Sequence, residues 1–127
     1  MPFNWNNYLT LAEQLATMPD EAAKRTAISR AYYCVFNLAF ARAELNAGPW
    51  PGAETMHKWC WSKYRATPDP SCRKLGIDGD RMKAKRVRAD YKPADIPRLD
   101  DEVGRMLEEA RQFQTAFQAL PPRFPLP

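Results

Sequence analysis

Histidine is almost missing from this chain, with His57 the only one. A metal centre would have to be mostly carboxylate, whereas the usual first-row sites lean on imidazole or thiolate ligands. Cysteine is nearly as scarce. Cys34, Cys60 and Cys72 are odd in number and show no C-x-x-C spacing, so neither a disulfide framework nor a zinc site is indicated. Cys34 stands among apolar helical neighbours and reads as a small core residue. No glycine-rich loop of the kind that cradles phosphates is present. No apolar run approaches the ~20 residues that cross a bilayer, and Met1 to Asn7 lack the basic and apolar regions of a signal peptide. A cytoplasmic protein with no membrane contact, no metal and no cofactor is therefore expected. Strict alternation of apolar and polar residues is also absent, which argues against strands.

What is present is enough for one packed domain. The 127 residues fall in the usual single-domain range, and 45% hydrophobic with 27% charged residues are globular proportions. The formal charge of +4 is unevenly spread. Residues 58–92 carry eleven Lys/Arg against four Asp/Glu, while the segments on either side are slightly acidic. Such a segment either meets phosphates or is a solvated helix face.

The apolar spacing predicts helices. Trp5, Tyr8, Leu9, Ala12 and Leu15 place a first helix over about 5–17, with Asn4 as N-cap. A wide apolar stripe from Ala22 to Phe40 predicts a central helix running from Asp20 to about Leu45. Gly48-Pro49-Trp50-Pro51-Gly52 interrupts it, and Met56, Trp59, Cys60 and Tyr64 mark a third helix. Residues 67–79, with Pro68, Pro70, Gly76 and Gly79, read as a loop before a basic helix from Asp80 to Tyr91. Leu99 to Leu120 describe a long last helix, and residues 121–127 an extended Pro-rich tail that docks through Phe124. The expected fold is all-α, an up-and-down bundle of four to five helices over residues 1–120.

Two patches concentrate the chemistry. On the central helix, Arg30 shares a face with Tyr33, while Tyr32 shares another with Phe36. An arginine in so apolar a helix needs a carboxylate, a carbonyl or a phosphate, and a structural ion pair and a phosphate contact are both open. On the basic helix, Arg86 and Asp90 stand one turn apart. A carboxylate flanked by Arg86 and Arg88 stays ionised, which makes Asp90 an orienter of arginine rather than a proton donor. Tyr91 either stacks on a base or closes the bundle. His57, at the start of the third helix, is the one side chain whose ordinary pKa suits proton transfer near neutrality.

Ser29-Arg30-Ala31-Tyr32-Tyr33-x-Val35-Phe36 on one helix, a histidine beginning the next, and Arg88-containing Arg86-x-x-Ala89-Asp90-Tyr91 on a later one resemble the small stand-alone prokaryotic proteins of the HEPN (higher eukaryote and prokaryote nucleotide-binding) family. The resemblance implies a helical up-and-down fold, commonly a homodimer. It also implies RNA as the target, since many members are metal-independent ribonucleases of toxin–antitoxin or defence systems. Their catalytic signature is an arginine followed four to six residues later by a histidine. No arginine precedes His57 at that distance, and no histidine follows Arg86 or Arg88. A composite site remains, with His57, Arg86 and Arg30 as candidate catalytic residues and Tyr33, Arg88, Asp90 and Tyr91 as candidate substrate-binding residues. In it the arginines would hold a phosphate while His57 moved a proton. The alternative is a non-catalytic helical partner for another protein, engaging it through the tail and the surface near Trp50, Trp59 and Trp61. Trp59 and Trp61 stand two apart on a helix, so one of them is expected to be exposed or at an interface.

Overall fold

The computed structural model describes Pro2–Pro127. Five helices run along the chain: α1 (Asn6–Ala16), α2 (Glu21–Ala47), α3 (Met56–Ala66), α4 (Pro70–Tyr91) and α5 (Leu99–Ala119), with no strand among the described residues. The fold is an all-α bundle. The N-cap of the first helix is Trp5 rather than the expected Asn4 and makes no side-chain cap, but Asn4 Oδ1, one residue further out, accepts from the backbone N–H of Asn6 at 3.0 Å.

α2 is the hub and touches each of the other four helices. Its composition explains how. Buried Ala23, Ala27, Ala31, Ala39 and Ala43 let neighbours approach closely, while buried Ile28, Tyr32, Val35 and Phe36 project on several sides. A helix apolar most of the way round is one that is surrounded.

Two arginines of α2 fasten the ends of the helices packed on it. Arg25 donates to the carbonyls of Ala89, Lys92 and Ala94 at 3.1, 2.7 and 2.8 Å, and so holds the end of α4. Arg42 does the same for α5, donating to Phe117 O at 3.0 Å, Leu120 O at 2.8 Å and Phe124 O at 2.8 Å. Each guanidinium satisfies carbonyls that a helix end leaves without partners. Arg42 and Asn46 also tie down residues 121–127, whose Phe124 is buried as expected.

The loop expected over residues 67–79 is cut to residues 67–69, and α4 begins at Pro70, ten residues before the predicted start. Pro70 occupies the first turn, where a missing N–H costs nothing, and Asp69 Oδ1 caps the helix by accepting from Cys72 N at 2.9 Å. The glycines answer to packing rather than to a turn. A Cβ on Gly76 would lie 2.6 Å from Arg65 Cγ and 2.8 Å from Arg65 N, and one on Gly79 would overlap the Trp61 ring. α3 and α4 thus cross with their backbones close together.

That crossing also corrects the expectation for the tryptophans, because both Trp59 and Trp61 are buried. α3 lies between α2 and α4 and has two covered faces. Trp59 packs edge-on to Phe40 with centroids 5.7 Å apart, and Trp61 reaches Phe113 of α5 at 5.9 Å.

Candidate functional site

Ordinary core helices bury leucine and alanine, but α4 sends an arginine inward. Arg86 is only 6% exposed, making it the one Lys or Arg in the buried class among the described residues. Its guanidinium carbon stands 5.2 Å from the ring centre of Tyr33, 5.5 Å from that of Tyr32 and 5.7 Å from that of Tyr91. Electron-rich ring faces stabilise the cation and its planar fork stacks on them. The rings do not satisfy its N–H groups. Nε is sealed from solvent with no hydrogen-bond partner, and Nη1 stands 3.8 Å from Asp90 Oδ2, an ion pair too long for a hydrogen bond.

Arg30 was expected to find a carboxylate, carbonyl or phosphate, and no ion pair to it forms among the described residues. It lies half-buried between two tyrosines, 4.9 Å from the ring centres of Tyr8 of α1 and Tyr33. Water still reaches the guanidinium, so the cost of burial that would demand a counter-charge is not incurred. The side chains form an alternating series across three helices: Tyr8, Arg30, Tyr33, Arg86, Tyr91. Ser29 links the two arginines from below, accepting from Arg30 Nη2 at 3.4 Å and donating to Asp90 Oδ2 at 2.9 Å. Asp90 is thus held by Ser29 and lies 3.8 Å from Arg86 without a hydrogen bond to it.

His57 joins the same cluster at the start of α3. Its ring is half-buried and stacked on Phe36, with centroids 4.0 Å apart. Trp61 Nε1 donates to the Tyr32 hydroxyl at 3.0 Å, and Tyr32 Oη lies 2.6 Å from His57 Nδ1. The indole only donates, and among the described residues the buried Tyr32 hydroxyl has no acceptor for its own proton other than His57 Nδ1, which assigns the imidazole's proton to Nε2. Desolvation, then the positive fields of Arg86 and Lys83, pull the His57 pKa down to about 4. At neutral pH His57 is an uncharged donor through Nε2, with its basic nitrogen occupied. Burial pushes the Tyr32 hydroxyl well up, so its proton stays in the chain.

The structure therefore gathers Arg30, Tyr33, His57, Arg86, Asp90 and Tyr91. Arg88 stands apart. Two residues on from Arg86, it lies on another side of α4 and lines a small hollow with Ile28, Lys85 and Ile96. Four residues that sequence reasoning left out of the site complete it: Tyr8, Ser29, Tyr32 and Trp61. Ser29 and Tyr32 lie within the same run as Arg30, but nothing in spacing alone tells which hydroxyl faces α4. A larger cavity of about 150 Å³ lies elsewhere, between α4 and α5, where Lys74 and Arg81 pair with Asp78 and Lys85 with Glu109. Those pairs neutralise part of the basic segment on that side, while Arg86 and Lys83 put a positive field on His57. Cys34 is core, its thiol pushed up to about 11 by burial, and all three cysteines are buried and free. No group of residues suited to a metal ion is found among the described residues. No helix is long and apolar enough to cross a membrane among those residues.

Comparison with family models, with curated proteins and with solved structures gives no match.

Proposed function

We propose that this chain binds single-stranded RNA and does not cut it. The observation that carries the reading is the alternating series of three tyrosines and two arginines at 4.9–5.7 Å spacings. Single strands are held by aromatic and guanidinium faces on which bases stack, beside cations that meet the phosphates. Tyr91 is 69% exposed and offers a base an open ring face. Stacking of this kind is worth about 1–3 kcal/mol per base. The motif resemblance to the HEPN family agrees with an RNA target, and HEPN-type membership, a cytoplasmic homodimer and a toxin–antitoxin or defence setting belong to the same proposal.

Binding is preferred to cutting because of His57. A general acid–base works best with a pKa near the working pH and a free nitrogen. Here the pKa lies near 4 and Nδ1 already accepts from Tyr32. The partner-protein reading loses two of the three tryptophans it rested on, since Trp59 and Trp61 are both in the core.

The test is incubation with a mixed labelled RNA pool in EDTA, analysed both by filter retention and on a denaturing gel. The expected result is retained, uncut RNA, with retention lowered at least about tenfold by Tyr91→Ala combined with Arg30→Gln. Both residues are at the surface or half-buried, so the fold should survive. Cleavage by wild type and not by His57→Ala would replace binding with catalysis. No retention and no cleavage would overturn the RNA reading.

A further inference from the structure

We infer that the Arg86 pocket takes a terminal phosphomonoester of the strand rather than an internal phosphodiester. This rests on the RNA reading above and deepens it. Arg86, at 6% exposure, makes no side-chain hydrogen bond among the described residues: three rings and the Asp90 charge at 3.8 Å stabilise its cation but leave its N–H groups without acceptors. An anion presenting two oxygens side by side gives acceptors to Nη1 and Nη2 at the tip of the fork, and phosphate has the matching geometry.

Shape decides which phosphate. Tyr32, Tyr33 and Tyr91 stand around Arg86, so only the tip of the side chain reaches the surface. An internal phosphodiester carries a ribose on each side and offers two free oxygens from a tethered position. A terminal phosphate enters end-on with three.

Charge decides as well. Around the pocket stand Arg30 and Tyr33 of α2, Tyr8 of α1, uncharged His57 of α3, and Lys83, Arg86 and Asp90 of α4. Asp90 is the one carboxylate in this group. Its Oδ2 accepts from Ser29, and its Oδ1 makes no hydrogen bond among the described residues. A carboxylate beside an anion site repels a phosphodiester and, more strongly, a phosphomonoester dianion, and the diester has no proton with which to offset that repulsion. A phosphomonoester, with a second pKa of about 6, keeps a proton on part of the population near neutrality and can donate it to Asp90 Oδ1. Asp90 thereby acts as a filter for the monoester while Arg86 supplies the binding.

The experiment uses one short single-stranded RNA made with a 5′-hydroxyl, a 5′-phosphate or a 3′-phosphate end, titrated against the full chain by fluorescence anisotropy. A hydroxyl-ended strand one nucleotide longer controls for the added charge. At least one phosphorylated form should bind about tenfold more tightly than the hydroxyl form, beyond any gain in the longer control, and the arms tell which end is read. Asp90→Asn should cut that advantage to about two- to threefold, mainly by tightening the hydroxyl form, because the repulsion is gone. Equal binding of all forms overturns the end-recognition inference and leaves the RNA reading standing. No binding of any form overturns both. An undiminished advantage in Asp90→Asn removes Asp90 as the filter.

Discussion

His57 shows how a residue's neighbours set its role. An imidazole at the start of a helix looks like an acid–base group from sequence, but the fold gives it a Tyr32 donor at Nδ1 and a pKa near 4. Its unfolded pKa is near 6.5, so between those values the unfolded chain binds the extra proton and the folded one does not. Stability contributed by the neutral ring is therefore full above about pH 6.5 and is lost as pH falls towards 4. Between pH 7 and pH 4.5 the wild type should lose about 1–3 kcal/mol more than His57→Gln, measured by urea unfolding at each pH. Parallel losses in the two proteins would mean that His57 titrates normally. The same scale explains why Arg86 was named from sequence but its condition was not. The i and i+4 spacing predicted a pairing with Asp90, while the 3.8 Å gap and the unsatisfied Nε depend on where three tyrosines from two helices sit.

Among the elements, the α3–α4 crossing was the least legible. Pro68, Pro70, Gly76 and Gly79 within a dozen residues read as a loop because glycine and proline usually interrupt helices. Here Pro70 starts the helix and the two glycines accept α3, a function visible only once Trp61 and Arg65 are placed against them. Gly79→Ala should raise intrinsic helix propensity and still destabilise the fold, by about 1–3 kcal/mol in denaturant unfolding, because the added methyl meets the Trp61 ring. A neutral or stabilising change would show that the helices do not cross so closely. The other helices were legible to within a few residues, since their stripes repeat at 3–4 residues and each covers a core face. Arg25 was missed for a different reason. Its spacing from Glu21 suited a solvated pair, and that pair does form at 2.9 Å, but the rest of the guanidinium holds the end of α4.

For the whole molecule, composition made the all-α bundle legible and left the site half-read. Six of the seven candidate residues converge, from motifs on α2, α3 and α4, because those helices pack on one another around α2. Arg88 does not, since two residues of helix turn it to another side. Net charge said little by itself, because several cations of α4 are paired with carboxylates; what bears on the site is the local positive field of Arg30, Lys83 and Arg86. The central claim is that this field and the tyrosines between it hold a single strand of RNA. It is tested most directly by the affinity for a short single-stranded RNA as a function of salt, for wild type and for Arg30→Gln with Tyr91→Ala. With about three phosphates neutralised, log K should fall against log salt with a slope of about −2, and the variant should bind more weakly with a slope shallower by about 0.7. Affinity that ignores salt, or is unchanged in the variant, would contradict the account.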